Sequence, residues 1–467
     1  MLLGALTRRV KNIHMIGIGG AGMSGIAEIL MNTGFTITGS DMRSTPVTER
    51  LAALGAGIFI GHSAENVRTC DVVVYSSAVK PDNLEITAAR ERKIPVIGRP
   101  EMLSELMRMK YGICIAGTHG KTTTTSMTGQ VLTRGDIDPT VIVGGKVALY
   151  GGGAKIGQSH YLVLEADEYD RTFLRLTPVI AVVTTIDLEH LDCYRDMNDI
   201  ESAFVQFVNK VPFFGSVILC MDDRGVQNIM PRVERRIITY GTSRQADIRA
   251  ENIDQKGTMT RFEVAAGGKP LGRVTLSLPG EHNVRNALAA VAVAGEMGIP
   301  FETTARALGE FRTVERRFEI KGEEAGVMVV DDFAHHPTEI KASLAGARRG
   351  YDRRIVAVFQ PHLYSRTRDF HQDFGRAFMN SDVLVVTDIY PAREAPIEGI
   401  SGKMVADDAT SAGHHHVTYV EKREELPRAV AGIVESGDLV ITFGAGDINR
   451  VGTELLSILK ESGTTGA

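Results

Sequence analysis

The stretch ICIAGTHGKTTTT, Ile113–Thr125, sets an apolar run directly against a glycine- and threonine-rich turn. A strand that enters a phosphate-binding loop and then a helix reads this way. The stretch departs from the Walker A form G-x-x-x-x-G-K-[ST] at one place, because Ile115 stands where the first glycine belongs. The loop must then turn differently, with Gly117 in the tight position and Gly120 ahead of the lysine. Lys121 would set a point charge on the β- and γ-phosphates of a nucleotide, and the Thr122 hydroxyl would coordinate Mg2+. Thr118, His119 and Thr123 complete the cradle. The rival explanation, a polar turn by chance, has to produce G-T-H-G-K-T after a strand by accident.

A second glycine loop lies upstream. Gly17–Gly25 reads GIGGAGMSG and holds the G-x-G-x-x-G spacing through Gly17, Gly19 and Gly22. Gly17, Gly19 and Gly22 leave the strand without side chains, so backbone N–H groups and a helix N-terminus can approach a pyrophosphate. Ser40 and Asp41 end the next strand, where a dinucleotide fold puts its ribose-binding carboxylate. A tight strand–helix turn with no ligand explains the glycines alone; strand, glycines, helix, strand and Asp together favour a nucleotide diphosphate.

The chain of 467 residues is too long for one ordinary core. Its net charge of −5 gives no electrostatic footprint for nucleic acid, so anionic ligands must be held by local sites. Four cysteines, Cys70, Cys114, Cys193 and Cys220, form no C-x-x-C pair, which fits a reduced, cytosolic chain. The first residues lack signal-peptide order, and no apolar run is long enough to span a bilayer. A cytoplasmic protein with no membrane or nucleic-acid partner is expected.

Apolar β-rich runs alternate with helical stretches throughout, the pattern of parallel sheets covered by helices. Three α/β domains in series follow: a Rossmann-like domain over 1–108, a central P-loop-type ATPase domain over 109–313, and a second Rossmann-like domain over 314–467. Within the central domain, the segment after Gly241 alternates polar and apolar residues between turn signals and reads as a small antiparallel β annex. YLVLEADEYD supplies Glu165, Asp167 and Glu168 at a strand end, where carboxylates for a metal are needed. His190 follows the next apolar strand; Mg2+ prefers oxygen, so Glu165 is the better ligand on residue chemistry alone. Asn283, in PGEHNVRNALAA, has the donor and acceptor that read an adenine edge, and is equally an ordinary helix-start residue. The third domain offers Arg316 and Arg317, Asp332 at a strand end, the pair His335 and His336, and His362, Arg366 and Arg368. GHHHV, with His414 to His416, reads as a surface loop.

Taken in order, GIGGAGMSGIAEIL, TGSD, YSSAV, IPVIGRPEML, AGTHGKTTTT, EADEYD, HNVRNA, RRFE, DDFAHHPTE and FQPHLYSRTRDF resemble the Mur ligases over nearly the whole chain. The irregular loop is the form that family uses. The resemblance implies that the first domain binds the UDP of a sugar nucleotide through Gly19, Gly20, Ala21, Gly22, Ser40, Asp41, Ser76 and Ser77. The central domain would bind ATP with Mg2+, which Mn2+ can replace, held by Thr122, Glu165 and His190. Asn283 would read adenine, Asp332 the ribose, and Arg317 with Lys121 would neutralise charge in transfer. Arg366 would clamp the amino-acid carboxylate, and His335 or His336 would be the base. The HLYSRTRDF run favours the alanine-adding branch, which joins L-alanine to the lactyl carboxylate of UDP-N-acetylmuramate, as a monomer or homodimer. The rivals are the branch that attaches a whole tripeptide to the same sugar nucleotide, an NAD-dependent oxidoreductase, and a non-catalytic nucleotide sensor. Phe333 departs from the family's usual tyrosine, and no lysine is assigned as a second metal bridge.

Overall fold

The computed structural model describes residues 10–76, 78–147, 152–312, 314–392 and 394–464. Ser77 lies outside them. Strands β1 (Asn12–Ile16), β2 (Thr36–Asp41), β3 (Gly57–Ile60), β4 (Val72–Tyr75) and β5 (Val96–Gly98) form one sheet in the order β3-β2-β1-β4-β5. Every pairing in it is parallel. The order reverses between β1 and β4, and the loop after β1 opens at that switch point, where open α/β sheets bind ligands.

A ten-stranded sheet follows. Its strands are β6 (Tyr111–Ala116), β7 (Thr140–Val147), β8 (Gly152–Lys155), β9 (Tyr161–Glu165), β10 (Ile180–Val183), β11 (Ser216–Cys220), β12 (Ile237–Gly241), β13 (Ile248–Lys256), β14 (Met259–Ala266) and β15 (Lys269–Leu276). They lie in the order β15-β14-β13-β12-β11-β10-β6-β9-β7-β8. All four residues of β10 and all five of β11 are buried, as unbroken apolar strands must be when both sheet faces are covered. β13 to β15 extend this sheet at its edge, and β13 joins β12 through two residue pairs only. Glycines at the turns Gly257 and Gly267–Gly268 supply the positive φ that such short connections require.

The third sheet holds β16 (Glu319–Glu324), β17 (Val327–Asp332), β18 (Ile355–Phe359), β19 (Val383–Thr387), β20 (Val417–Val420) and β21 (Leu439–Phe443), ordered β16-β17-β21-β18-β19-β20. Among the described residues of this sheet, only β16 runs antiparallel to its neighbour. β18, β19 and β21 are buried at every residue, and apolar clusters cover the sheet on both faces.

By compactness the chain divides into two units. One comprises Met1–Glu251, Glu263–Val274 and Arg285–Glu310; the other comprises Asn252–Phe262, Thr275–Val284 and Phe311–Ala467. The first and most of the second sheet belong to the first unit, and the third sheet belongs to the second. Among the described residues, no helix is long and apolar enough to cross a membrane.

Candidate active site

In the first unit, β6 ends in the loop 117–120, and the helix Lys121–Arg134 begins at once. Gly117 sits at φ +130 and Gly120 at φ +82, conformations that L side chains rarely adopt. A Cβ on Gly117 would collide with the Thr184 hydroxyl and stand 2.9 Å from the amides of Thr184 and Thr185. So Gly117 makes the turn that Ile115, inside the strand, does not. The loop is pinned to the strand-end beside it: Thr118 N donates to Thr185 O (2.9 Å), Asp187 N to Thr118 Oγ1 (2.9 Å), and His119 Nε2 lies 3.2 Å from Asp187 Oδ2. Gly120 leaves room for Asn286, whose Oδ1 also accepts from Thr124 Oγ1 at 3.2 Å.

The cation and the carboxylates meet at this loop. Lys121 Nζ donates to Gly117 O (2.7 Å) and to both oxygens of Glu168 (2.9 and 2.7 Å). Burial alone would lower its pKa, but Glu168, Asp167 and Glu165 outweigh that and hold the ammonium charged. Burial opposes the charge on Glu168 as well, and Lys121 with His190 overcomes it, so that carboxyl sits below its ordinary value. Glu165 and Asp167 differ: burial dominates and raises both. Thr122 Oγ1 donates to Glu165, 3.0 Å from each oxygen, and Gly144 N adds a bond at 2.7 Å. Thr123 is buried in the first helical turn.

His190 lies beside Glu168. Its Nε2 lies 3.5 Å from Glu168, and Glu168, Glu189 and His190 offer ligand atoms within 4.8 Å of one another. Thr122 and Glu165 pair separately. Sequence could not see this split, because Glu165 and Glu168 are three residues apart across a turn that aims them differently.

The first glycine loop is built otherwise. Gly17 N and Ile18 N both donate to Ser40 O, at 2.8 and 3.1 Å, and Gly19 N donates to Asp41 Oδ2 at 2.9 Å. Ser40 is fully buried and its hydroxyl donates to Glu85 Oε2 at 2.6 Å, so it fastens the loop from beneath. Glu85 is the hub of a buried set that sequence reading missed. It takes Asn66 Nδ2 at 2.6 Å and His62 Nδ1 at 2.8 Å, with His14 Nε2 3.4 Å away. Burial works against its charge, yet His14, Ser40, Asn66 and His62 bring its pKa down to about 2. Ser76 N donates to Ile16 O at 3.1 Å and its side chain flanks Gly17. Gly20 caps the helix Ala21–Asn32 with no side-chain bond.

The second unit gathers the remaining residues around the ends of β17 and β18. Asp332, at the end of β17, is buried; its oxygens accept from Ala334 N (2.9 Å) and Ser343 Oγ (2.7 Å), and burial pushes its pKa up to about 6. His336 caps the helix Pro337–Gly350, its Nδ1 accepting from Thr338 N at 3.3 Å. His335 Nδ1 lies 2.9 Å from Phe333 O; a carbonyl only accepts, so that nitrogen carries a proton. The two arginines separate. Arg316, at φ +61, binds Asp331 and the carbonyls of Gly444 and Gly446, whereas Arg317 lies 3.6 Å from Glu339. Phe333 carries both guanidinium groups on its ring, 5.0 and 5.3 Å from the centroid, a contact that needs no hydroxyl. Arg366 is buried beside His362 (3.3 Å), while Arg368 turns outward to Asp369. Asn283 Nδ2 donates to Pro279 O at 2.8 Å. His414, read as part of a surface loop, is buried against Ser381 Oγ at 3.1 Å; only its two neighbours are exposed.

A strand, a glycine turn and a helix thus carry a lysine and three carboxylates in one unit, and paired arginines and histidines cluster in the other. Three family models match this chain: the catalytic domain of the Mur ligase family over residues 12–111, the Mur ligase middle domain over 115–294, and the Mur ligase glutamate ligase domain over 316–446. A UDP-N-acetylmuramate–L-alanine ligase of Salinibacter ruber is 55% identical over 98% of this chain and 97% of its own. Among solved structures, a UDP-N-acetylmuramate–alanine ligase from Thermotoga maritima superposes with a TM-score of 0.79 at 30% identity, covering 97% of this chain and 100% of that one. A murein peptide ligase from Psychrobacter arcticus gives 0.69 at 26% identity, over 96% and 99%. The chain belongs to the Mur ligase family.

Proposed function

We propose that this protein joins L-alanine to the lactyl carboxylate of UDP-N-acetylmuramate, consuming ATP and releasing ADP and phosphate. The observation that carries the proposal is the loop 117–122, where Lys121, Thr122 and three carboxylates converge at one strand end. A carboxylate is a poor electrophile. Transfer of the γ-phosphoryl group to its oxygen makes an acyl phosphate with a good leaving group, which the amine then displaces. Two anions must approach for that, and catalysis consists largely of positioning them and neutralising their charge.

Lys121 supplies a fixed charge to the β- and γ-phosphates, and Arg317 adds a second. The donors present suit Mg2+: a hydroxyl and a carboxylate at Thr122 and Glu165, with Glu168, Glu189 and His190 close by. When bound, the ion would supply positive charge that neutralises the phosphates. Asp332 suits a ribose hydroxyl and Asn283 an adenine edge, while Gly19, Gly20, Ala21, Gly22 and Asp41 cradle the UDP. Of the two histidines, His335 is the better base. His336 spends its Nδ1 lone pair on a helix cap, whereas His335 Nδ1–H is held by a carbonyl that fixes the ring's orientation. Arg366 offers the planar fork that grips an amino-acid carboxylate.

The likeness to a murein peptide ligase keeps one second reading open, a tripeptide in place of alanine. Phosphate release from ATP and Mg2+ with UDP-N-acetylmuramate decides between them. Release that requires L-alanine is expected. Release that requires a tripeptide moves the protein to the other branch, and release with neither acceptor amine nor sugar nucleotide overturns ligation.

A further inference from the structure

The first glycine loop has no lysine, yet a cation lies on it. Arg99 opens the helix Arg99–Arg108, just after β5, and its guanidinium covers Gly22 in the first turn of the helix Ala21–Asn32. A Cβ on Gly22 would collide with Arg99 Nη1, and Cζ would stand 3.3 Å away. The third glycine of the motif is therefore the one that makes room for this side chain. Arg99 Nε is buried with no hydrogen-bond partner. Such a donor costs free energy until an acceptor arrives. Arg99 and Gly22 also line a cavity that reaches Gly144, Glu165 and Asp167 of the central sheet, within the same compact unit.

We propose that Arg99 is an anion-binding residue of the sugar-nucleotide site, gripping an oxyanion of the acceptor beside Gly22. The inference rests on the reading of this chain as a UDP-N-acetylmuramate ligase. The place on the helix's first turn, where backbone amides and the positive end of the helix dipole already favour a phosphate, assigns the contact to the diphosphate. Arginine suits that task, because its fork meets two phosphate oxygens at once and lysine's point charge does not.

Calorimetric binding of UDP-N-acetylmuramate and of UDP-N-acetylglucosamine, which has the diphosphate but no carboxylate, tests it on wild type, Arg99→Gln and Arg99→Lys. Arg99→Gln should weaken both ligands by about tenfold or more, the loss of a charge-assisted hydrogen bond, with Arg99→Lys recovering part of it. In steady state its KM for UDP-N-acetylmuramate should rise while kcat and the KM for ATP hold, a split that general loosening of the fold would not produce. A loss confined to UDP-N-acetylmuramate also supports the proposal and moves the contact to the carboxylate. Wild-type affinity for both ligands in Arg99→Gln overturns it. Failure of the wild type to bind either nucleotide sinks the ligase reading and this inference together.

Discussion

The two glycine loops of the first unit are the same device at two levels of commitment. Each leaves a parallel strand, turns on glycines, and points a helix N-terminus at the space above the sheet. Loop 117–120 is followed in the chain by its own cation, and that cation sits among carboxylates that its charge holds in place. Loop 17–20 has neither. Its base is clamped by Ser40 and Asp41, Ser40 rests on a buried carboxylate, and its cation arrives from a helix 77 residues beyond Gly22 (99 − 22). On the proposed function, one loop serves a phosphate that moves and the other a phosphate that stays. The first needs charge that stabilises a transition state; the second needs grip and a fixed floor.

The sharpest way to break this contrast is to remove the central cation. Lys121→Ala should lower kcat by about a thousandfold or more, as losing a preorganised charge in phosphoryl transfer does. The same change strips Glu168 of its main counter-charge, and breaking a buried pair costs about 3–5 kcal/mol, so folding must be checked by near-UV circular dichroism. Lys121→Arg keeps the pair and guards the test. Its thermal midpoint should stay near wild type while kcat still falls by roughly a hundredfold. Activity within tenfold of wild type in both variants would mean that the loop holds nucleotide without serving transfer.

The floor of the first loop gives the next effect, and it depends on pH. Glu85 has a folded pKa of about 2 against an ordinary 4.5. A depressed carboxyl stabilises the fold fully above its unfolded pKa, and that stabilisation is lost as pH falls from 4.5 toward 2. The shift corresponds to roughly 3 kcal/mol at neutral pH. Glu85→Gln should therefore lower the urea midpoint at pH 7, and the gap to wild type should narrow below pH 4.5. A gap of constant width across that range would show that the set works through shape and not through charge.

How much of this was legible depended on whether the signal was local. The alternation of apolar runs with helices fixes three parallel-type sheets, and strand–glycine–lysine is contiguous, so both could be read residue by residue. The Glu85 set could not. Its members come from four separate segments, and in NLEITAARE the glutamate reads as one more residue on a solvated helix face. Arg316 and Arg317 are adjacent and chemically identical; only the positive φ at Arg316 turns one into the loop carbonyls and leaves the other beside Glu339. His414 was hidden for a similar reason, since three consecutive histidines say nothing about which one points inward. Arg99 was plain in the sequence, but nothing near it announced Gly22.

The finest distinction between the loops lies in two glycines that look equivalent. At both Gly117 and Gly22 an added Cβ would overlap a polar atom. At Gly117 the obstacle is the hydroxyl of Thr184, directly after the buried strand β10, with the backbone amides of Thr184 and Thr185, and φ is +130. Neither obstacle nor backbone can give, so Gly117→Ala should cost about 1–3 kcal/mol in strain and reduce nucleotide affinity with it. At Gly22 the obstacle is the far end of a flexible arginine, and the glycine is helical with ordinary φ. Alanine in a helix is worth about 1 kcal/mol over glycine, so Gly22→Ala should leave the thermal midpoint unchanged or slightly raised. Its cost should fall on function alone. The methyl displaces the Arg99 guanidinium, and the KM for the sugar nucleotide should rise several-fold while the KM for ATP does not move. In Arg99→Gln the same Gly22→Ala change should add little, because the group it displaces is already gone. Full additivity of the two substitutions would separate Gly22 from Arg99 and leave the third glycine as a packing residue only.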